Sequence, residues 1–273
     1  MFLSGADGVT PELRAPSIKG ALRFWWRAMN GHLSLEELKR QEGEIFGDTS
    51  KRSSILLYPI NILTKQEDRI SGTPHHRNGY CKTNRNNCFY RNGVCGKSKL
   101  QNALFYNFSM KVGFNINKIT NEDIIRLVKT TFLLGGIGKR VRRGFGSVQI
   151  TKIDNDVCFI SKNEIENFLL TLNRIESNIN YPYFKKVEIG KKHNDYNELL
   201  VAIGETTHAH ADNHGSIGFA KGQERFASPI YVSVIRDENR NLYPIITTLN
   251  TAPKRPIENL GPQQNFINAL KNN

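Results

Sequence analysis

The sequence predicts an α+β fold with helices laid on one face of a sheet. Three observations carry this expectation. Near the N-terminus, Ile18, Ala21, Leu22, Trp25, Ala28 and Met29 recur at helical spacing. Further on, Leu104, Tyr106, Phe108, Met110, Val112 and Phe114 alternate with Phe105, Asn107, Ser109 and Lys111, the period of a strand. The elements also arrive in the order helix, strand, insertion, strand, helix, strand. At 273 residues and 38% hydrophobic content, the chain is long enough to bury one large core or two small ones.

The first helix is expected over residues 17–29, with Ser17 as its N-cap and Trp25 in the core. Lys19, Arg23 and Arg27 recur every four residues on an adjoining stripe, with Trp26 at its border. That stripe reads equally as a solvated face or as an RNA contact. Residues 54–63, rich in Ile, Leu and Tyr, read as a strand. Residues 72–99 are polar and rich in Asn, Gly and Cys, which predicts an insertion loop. A strand over 104–116 and a helix over 121–134 follow. Then come a glycine-rich loop and a strand-like run through Phe145, Val148, Ile150 and Ile153. Past Asn155, helices are expected over 163–175 and 195–203, and a short one over 266–270. Strands over 229–235 and 242–249 form a hairpin, joined by the turn-rich 237–241.

Chemistry concentrates in the loop. Residues 135–147 hold Gly135, Gly136, Gly138, Gly144 and Gly146, the cations Lys139, Arg140, Arg142 and Arg143, and the aromatic Phe145. Successive exposed N–H groups in such a turn make an anion-binding concavity, four cations add full charge, and Phe145 offers a face for a base to stack on. Nucleotide-cofactor loops are excluded by order and spacing. A P-loop needs Ser or Thr after its Gly-Lys pair, and here Arg140 follows Lys139; a dinucleotide fingerprint follows a strand and opens a helix, and here the helix comes first. The expected ligand is therefore the phosphates of a polymer.

Charge distribution agrees. The chain has 38 Lys and Arg against 25 Asp and Glu. Residues 69–153 hold 16 of those cations and only two acids, Glu122 and Asp123, a net +14; the remaining 22 cations and 23 acids sum to −1. The basicity belongs to one region, as in an electrostatic footprint for nucleic acid. With no run near the roughly 20 apolar residues of a membrane span and no secretory leader, a cytoplasmic protein is expected.

Three segments together resemble one family. They are residues 10–27 (TPELRAPSIKGALRFWWR), the loop 135–147, and residues 224–230 (ERFASPI). They look like the RAMP superfamily, and within it the first subunit of the type III-B (Cmr) CRISPR effector complex. The first two matches are specific, the third is shared more loosely, and the anchors run from Leu13 to Ile230. The resemblance implies two ferredoxin-like, RRM-related domains, residues 1–155 and a divergent 156–273. It also implies a non-catalytic subunit that binds CRISPR RNA and target RNA beside other RAMP subunits, its glycine loop at positions 135, 136, 138, 144 and 146. Relatives carry a strand before the Leu3-Ser4-Gly5-Ala6-Asp7 segment, whereas this sequence starts at Met1 inside it. The expectation is a first domain without its N-terminal strand, supplied from upstream or by a partner.

Two clusters are weighed for metal. His75, His76, Cys81, Cys88 and Cys95 share the insertion, and thiolates with imidazole suit a structural zinc clip, which some RAMP relatives bear in comparable insertions. The Cys spacing matches no standard ribbon or knuckle, so reduced free thiols are the preferred reading and structural zinc the alternative. No other cofactor is expected. His208, His210, Asp212 and His214 nearly spell a metallo-hydrolase signature, with Asn213 inserted. They support the alternative function, a RAMP-type or metal-assisted endoribonuclease. No nucleophile set assembles, so the leading expectation is not an enzyme.

Overall fold

Pro16 decides where the first helix begins. The computed structural model describes residues 12–70, 82–84, 87–90, 93–94, 101–138, 140–158, 161–172, 182–210, 215–221, 223–250 and 259–272. Helix α1 runs Ala15–Met29, with Arg14 as capping residue and Pro16 in the first turn. Proline's fixed φ and missing N–H suit that position, so the helix starts ahead of Ser17, the expected cap. Helix α2 (Leu35–Phe46) was not anticipated. Ser34 caps it by accepting the Glu37 N–H, and Glu36 and Glu37 complement the positive end of its dipole.

Strand β1 (Ile55–Ile70) carries the chain toward the insertion. The insertion is more than a loop: β2 (Lys82–Asn84), β3 (Asn87–Tyr90) and β4 (Gly93–Val94) form a small antiparallel sheet in that order. Strand β5 (Gln101–Phe114) returns antiparallel to β1, with Ile55 opposite Phe114. Its alternation is the expected one, Phe108, Met110, Val112 and Phe114 packing inward while Asn107, Ser109 and Lys111 stay exposed. Helix α3 (Asn121–Leu134) follows, capped by Thr120, and then a 3-10 turn at Val141–Arg143. The strand expected from Phe145 to Ile153 shrinks to β6 (Lys152–Ile153), paired with β7 (Asp156–Val157). The stretch before it is held by other partners, described below.

The second half contains α4 (Lys162–Thr171), with a Ser161–Glu164 capping box, and β8 (Phe184–Ile189). Helix α5 (Tyr196–Ala209) is capped by Asp195. A β9 (Phe219–Lys221) and β10 (Glu224–Phe226) pair precedes the hairpin of β11 (Ile230–Arg236) and β12 (Leu242–Leu249), and α6 (Gly261–Asn272) follows. The fold is α+β, with antiparallel sheets throughout the described residues.

The sheet β11-β12-β8 lies at the centre of the packing. All but the last residue of β11 and every residue of β12 are buried, because apolar side chains fill both faces. Tyr231, Ile235, Tyr243 and Ile245 meet Trp25 of α1 and Leu133 of α3; Ile230, Val232, Val234 and Ile246 meet Leu199 and Ile203 of α5 and Phe266 of α6. The β1–β5 pair covers the other side of α1 and α3 through Ile55, Leu57 and Val112. Helices therefore lie on one face of the first sheet, as expected, and on both faces of the second. The first of these cores runs across residue 155, joining residues of both halves.

Candidate nucleic-acid interface

The glycine loop is anchored at its base and exposed at its tip. Gly135, Gly136, Gly144, Phe145 and Gly146 are all buried, whereas Gly138 and Arg140 are exposed. The N–H groups at the base are used internally, since buried amides must be paired. Gly135 donates to Thr131 O, Ile137 to Gly146 O (2.9 Å), and Gly144 to Val232 O (2.7 Å). Gly146 needs the left-handed φ of 74°, and a Cβ there would collide with Ile137 O. These amides cannot form the anion-binding concavity expected of them. Phe145, expected as a stacking platform, is 4% exposed and sits among Leu199, Ile203 and Val232. It is a core residue.

Arg143 is likewise turned inward. Its Nη1 donates to Ile230 O (3.1 Å), and its Nη2 to Ile217 O (3.0 Å) and Ser228 Oγ (3.1 Å). No carboxylate is paired with it among the described residues. Desolvation, with Arg142 alongside, pushes its pKa down to about 10, which leaves it charged at neutral pH. Together the loop residues serve the outer edge of β11 in place of a strand. Arg143 takes Ile230 O, Gly144 takes Val232 O, Ser147 Oγ accepts from Val234 N (2.9 Å), and Gln149 Nε2 donates to Arg236 O (2.7 Å). Tyr196 Oη adds a clamp from α5 on Gly144 O (2.9 Å).

What the base holds out is the segment from Gly138 to Arg142. Gly138 (φ 99°) and Arg140 (φ 63°) both take left-handed conformations, which fold the tip sharply. Lys139 lies outside the described residues. The Arg142 guanidinium stands 4.6 Å from the Tyr231 ring centre, and that ring packs on Phe24 and Trp25 of α1. The loop and α1 are thus tied through one aromatic cluster.

On α1, Lys19, Arg23 and Arg27 do share a stripe, yet two of them are not simply solvated. Arg23 Nε and Arg27 Nη1 both pair with Glu42 Oε1 of α2, the second at 2.9 Å. The Glu42 side chain is 7% exposed, against 38% and 41% for the arginines. A buried carboxylate on the unanticipated α2 fixes two cations at the surface. Replacing both arginines by Ala strands that carboxylate, at an expected cost of about 1–3 kcal/mol. Adding Glu42→Gln to the double variant is expected to recover much of the loss, which thermal melts of the three proteins check.

The remaining site expectations lie mostly outside the described residues. That holds for His75, His76, Cys81 and Cys95, for Asp212 and His214, and for residues 1–11, where a first strand was expected. Cys88 lies on β3, opposite Thr83 in register. His208 lies in the last turn of α5 and His210 caps it. Among the described residues no helix is long and apolar enough to cross a membrane.

Comparison with known proteins follows the same lines. The model of the RAMP superfamily matches residues 1–149. Two curated proteins of Pyrococcus furiosus are similar in sequence. CRISPR system Cmr subunit Cmr1-1 is 26% identical over 178 residues, 60% of this chain and 50% of the relative; Cmr1-2 is 28% identical over 172 residues, 55% of this chain and 89% of the relative. The chain thus spans about half the length of the first of them. Among solved structures, a chain of the cryo-EM structure of Type III-B Cmr-beta with cognate target RNA, AMPPnP and ssDNA superposes with a TM-score of 0.58 at 15% identity. That match covers 98% of this chain and 96% of the other. Apo Cmr1 from P. furiosus superposes with a TM-score of 0.54 at 18% identity, covering 94% and 89%. These likenesses concern the fold.

Proposed function

Because this chain belongs to the RAMP superfamily, we propose that it is a non-catalytic RNA-binding subunit of a type III-B CRISPR ribonucleoprotein effector. In this reading it contacts CRISPR RNA and target RNA beside other RAMP subunits in antiviral defence. One observation carries the proposal: a basic loop tip, Gly138 to Arg142, presented on a base that is bonded into the central sheet. Such a mount holds the exposed Arg140 and the Arg142 guanidinium at the surface, which suits phosphate contact. The names of the similar proteins, and the target RNA in the complex with the similar fold, support RNA as the partner.

The expected result is salt-dependent binding of labelled single-stranded RNA by the purified chain, with the RNA left intact with and without divalent metal. Cleavage that depends on metal and disappears with His208→Ala and His210→Ala would favour the endoribonuclease instead. Absence of binding at low salt would remove the proposal.

A further inference from the structure

Between α1 and the turn that leaves α2, the surface sinks into an open depression of about 650 Å3. Lys19, Arg23, Asp48, Thr49, Lys51 and Ser53 line it, with Phe46 and Gly47 behind. Its size falls within the range of small-ligand sites, and the loop tip proposed above contributes nothing to it.

The walls are fixed from both sides. Gly47 turns the chain at φ 84°, and a Cβ there would lie 2.8 Å from Ser53 N. Arg23, already held by Glu42, also donates from Nη1 to Gly47 O (3.3 Å). The loop is closed by Asp48, whose Oδ1 accepts from Ser50 N (2.7 Å), Ser50 Oγ (2.8 Å) and Lys51 N (2.8 Å). Those bonds, the Ser50 hydroxyl foremost, hold its carboxyl below the usual range. The one acid of the lining is thereby committed to shaping the turn.

The cations are differently placed. Lys51 Nζ stands 4.0 Å from Glu44 Oε1, at the limit of an ion pair. Among the described residues Lys19 has no carboxylate within ion-pair distance, and burial, with Arg23 beside it, lowers its pKa. The lining therefore carries three cations against one acid, with the Lys19 ammonium outside any ion pair among the described residues and the Lys51 ammonium held only at the limit of one. Lysine binds phosphate as a point charge. Lys19, Arg23 and Arg27 continue as a row with steps of about 6 Å along the helix, which suits a polyanion better than a lone carboxylate.

We propose that this depression holds a backbone phosphate of single-stranded RNA, gripped by Lys19 and Lys51, with Arg23 as the fixed third cation. The inference rests on the RNA-binding reading above and adds a second contact to it, separate from the glycine loop.

The test compares the full chain with Lys19→Gln/Lys51→Gln, Lys19→Arg/Lys51→Arg and Arg140→Ala/Arg142→Ala. The probes are a labelled uridine oligonucleotide titrated across salt, and polyglutamate of similar charge. The Gln pair is expected to bind RNA roughly tenfold more weakly, with the salt slope reduced by about 0.7 per lost contact. Its melting temperature should be unchanged, and the Arg pair should retain binding. Wild-type affinity and slope in the Gln pair, with loss in Arg140→Ala/Arg142→Ala, overturns the depression site and leaves the RNA reading standing. No RNA binding by the unaltered chain removes both. Loss of polyglutamate binding without loss of RNA binding overturns the proposal in favour of an acidic segment of a protein partner.

Discussion

Trp25→Ala is expected to lower stability by about 3–5 kcal/mol, enough to unfold many domains outright. Trp25 is 2% exposed. Its ring stacks on Phe184 at 5.6 Å, meets Tyr231 edge-on at 5.1 Å, and touches its neighbour Phe24 at 5.4 Å. Phe184 and Tyr231 belong to β8 and β11, so the loss falls on the seam between the N-terminal helices and the central sheet. The approach is also close: a Cβ on Gly135 would strike Trp25 Nε1. A cavity at that point loosens the root of the glycine loop as well. Denaturant unfolding of the variant, set beside Trp26→Ala, measures the effect. Trp26 packs on Phe46 of α2 and lies away from the seam. A loss below about 1 kcal/mol for Trp25→Ala would refute the assignment of this residue as the keystone of that packing.

The second large effect is a division among the loop arginines. Arg140→Ala/Arg142→Ala is expected to weaken RNA binding roughly tenfold or more and to flatten its salt dependence. Melting should shift little, because Arg140 is exposed and the Arg142–Tyr231 contact contributes only about 0.5–1 kcal/mol. Arg143→Ala should do the reverse. It removes the donor from Ile217 O, Ile230 O and Ser228 Oγ. Each unpaired acceptor costs on the order of 1–3 kcal/mol where water cannot reach it. Arg143→Lys should recover only part of that, because one ammonium cannot span the three acceptors that a planar fork reaches. If all three arginines alter RNA affinity alike and none alters melting, the inward placement of Arg143 is refuted.

The sequence was most readable where side-chain periodicity met a single environment. The alternation along β5 and the helical stripe of α1 were both legible, and so was the β11–β12 hairpin, bounded by Pro229 and the polar 237–241 turn. Helix α2 was missed although Ser34 and Glu37 stand at capping spacing, because Glu, Lys and Arg crowd its apolar face down to Leu38, Ile45 and Phe46. The loop was singled out as a candidate site, but its composition could not say which cations face out. Arg140 and Arg143 are alike in isolation. They are separated by where β11 lies, and that is fixed by residues nearly ninety positions away. The pairing of Arg23 and Arg27 with Glu42 was hidden for the same reason.

The edge of β11 has one more consequence. Its backbone groups at 230, 232, 234 and 236 are met by residues 143–149 rather than by another strand. An uncovered edge of this kind is a template for joining other chains. If the polypeptide were divided near residue 160, the C-terminal fragment would present that edge bare, and the N-terminal fragment would carry the piece that covers it. Co-expressed, the two fragments should find each other and co-purify. Made alone, the C-terminal one should self-associate.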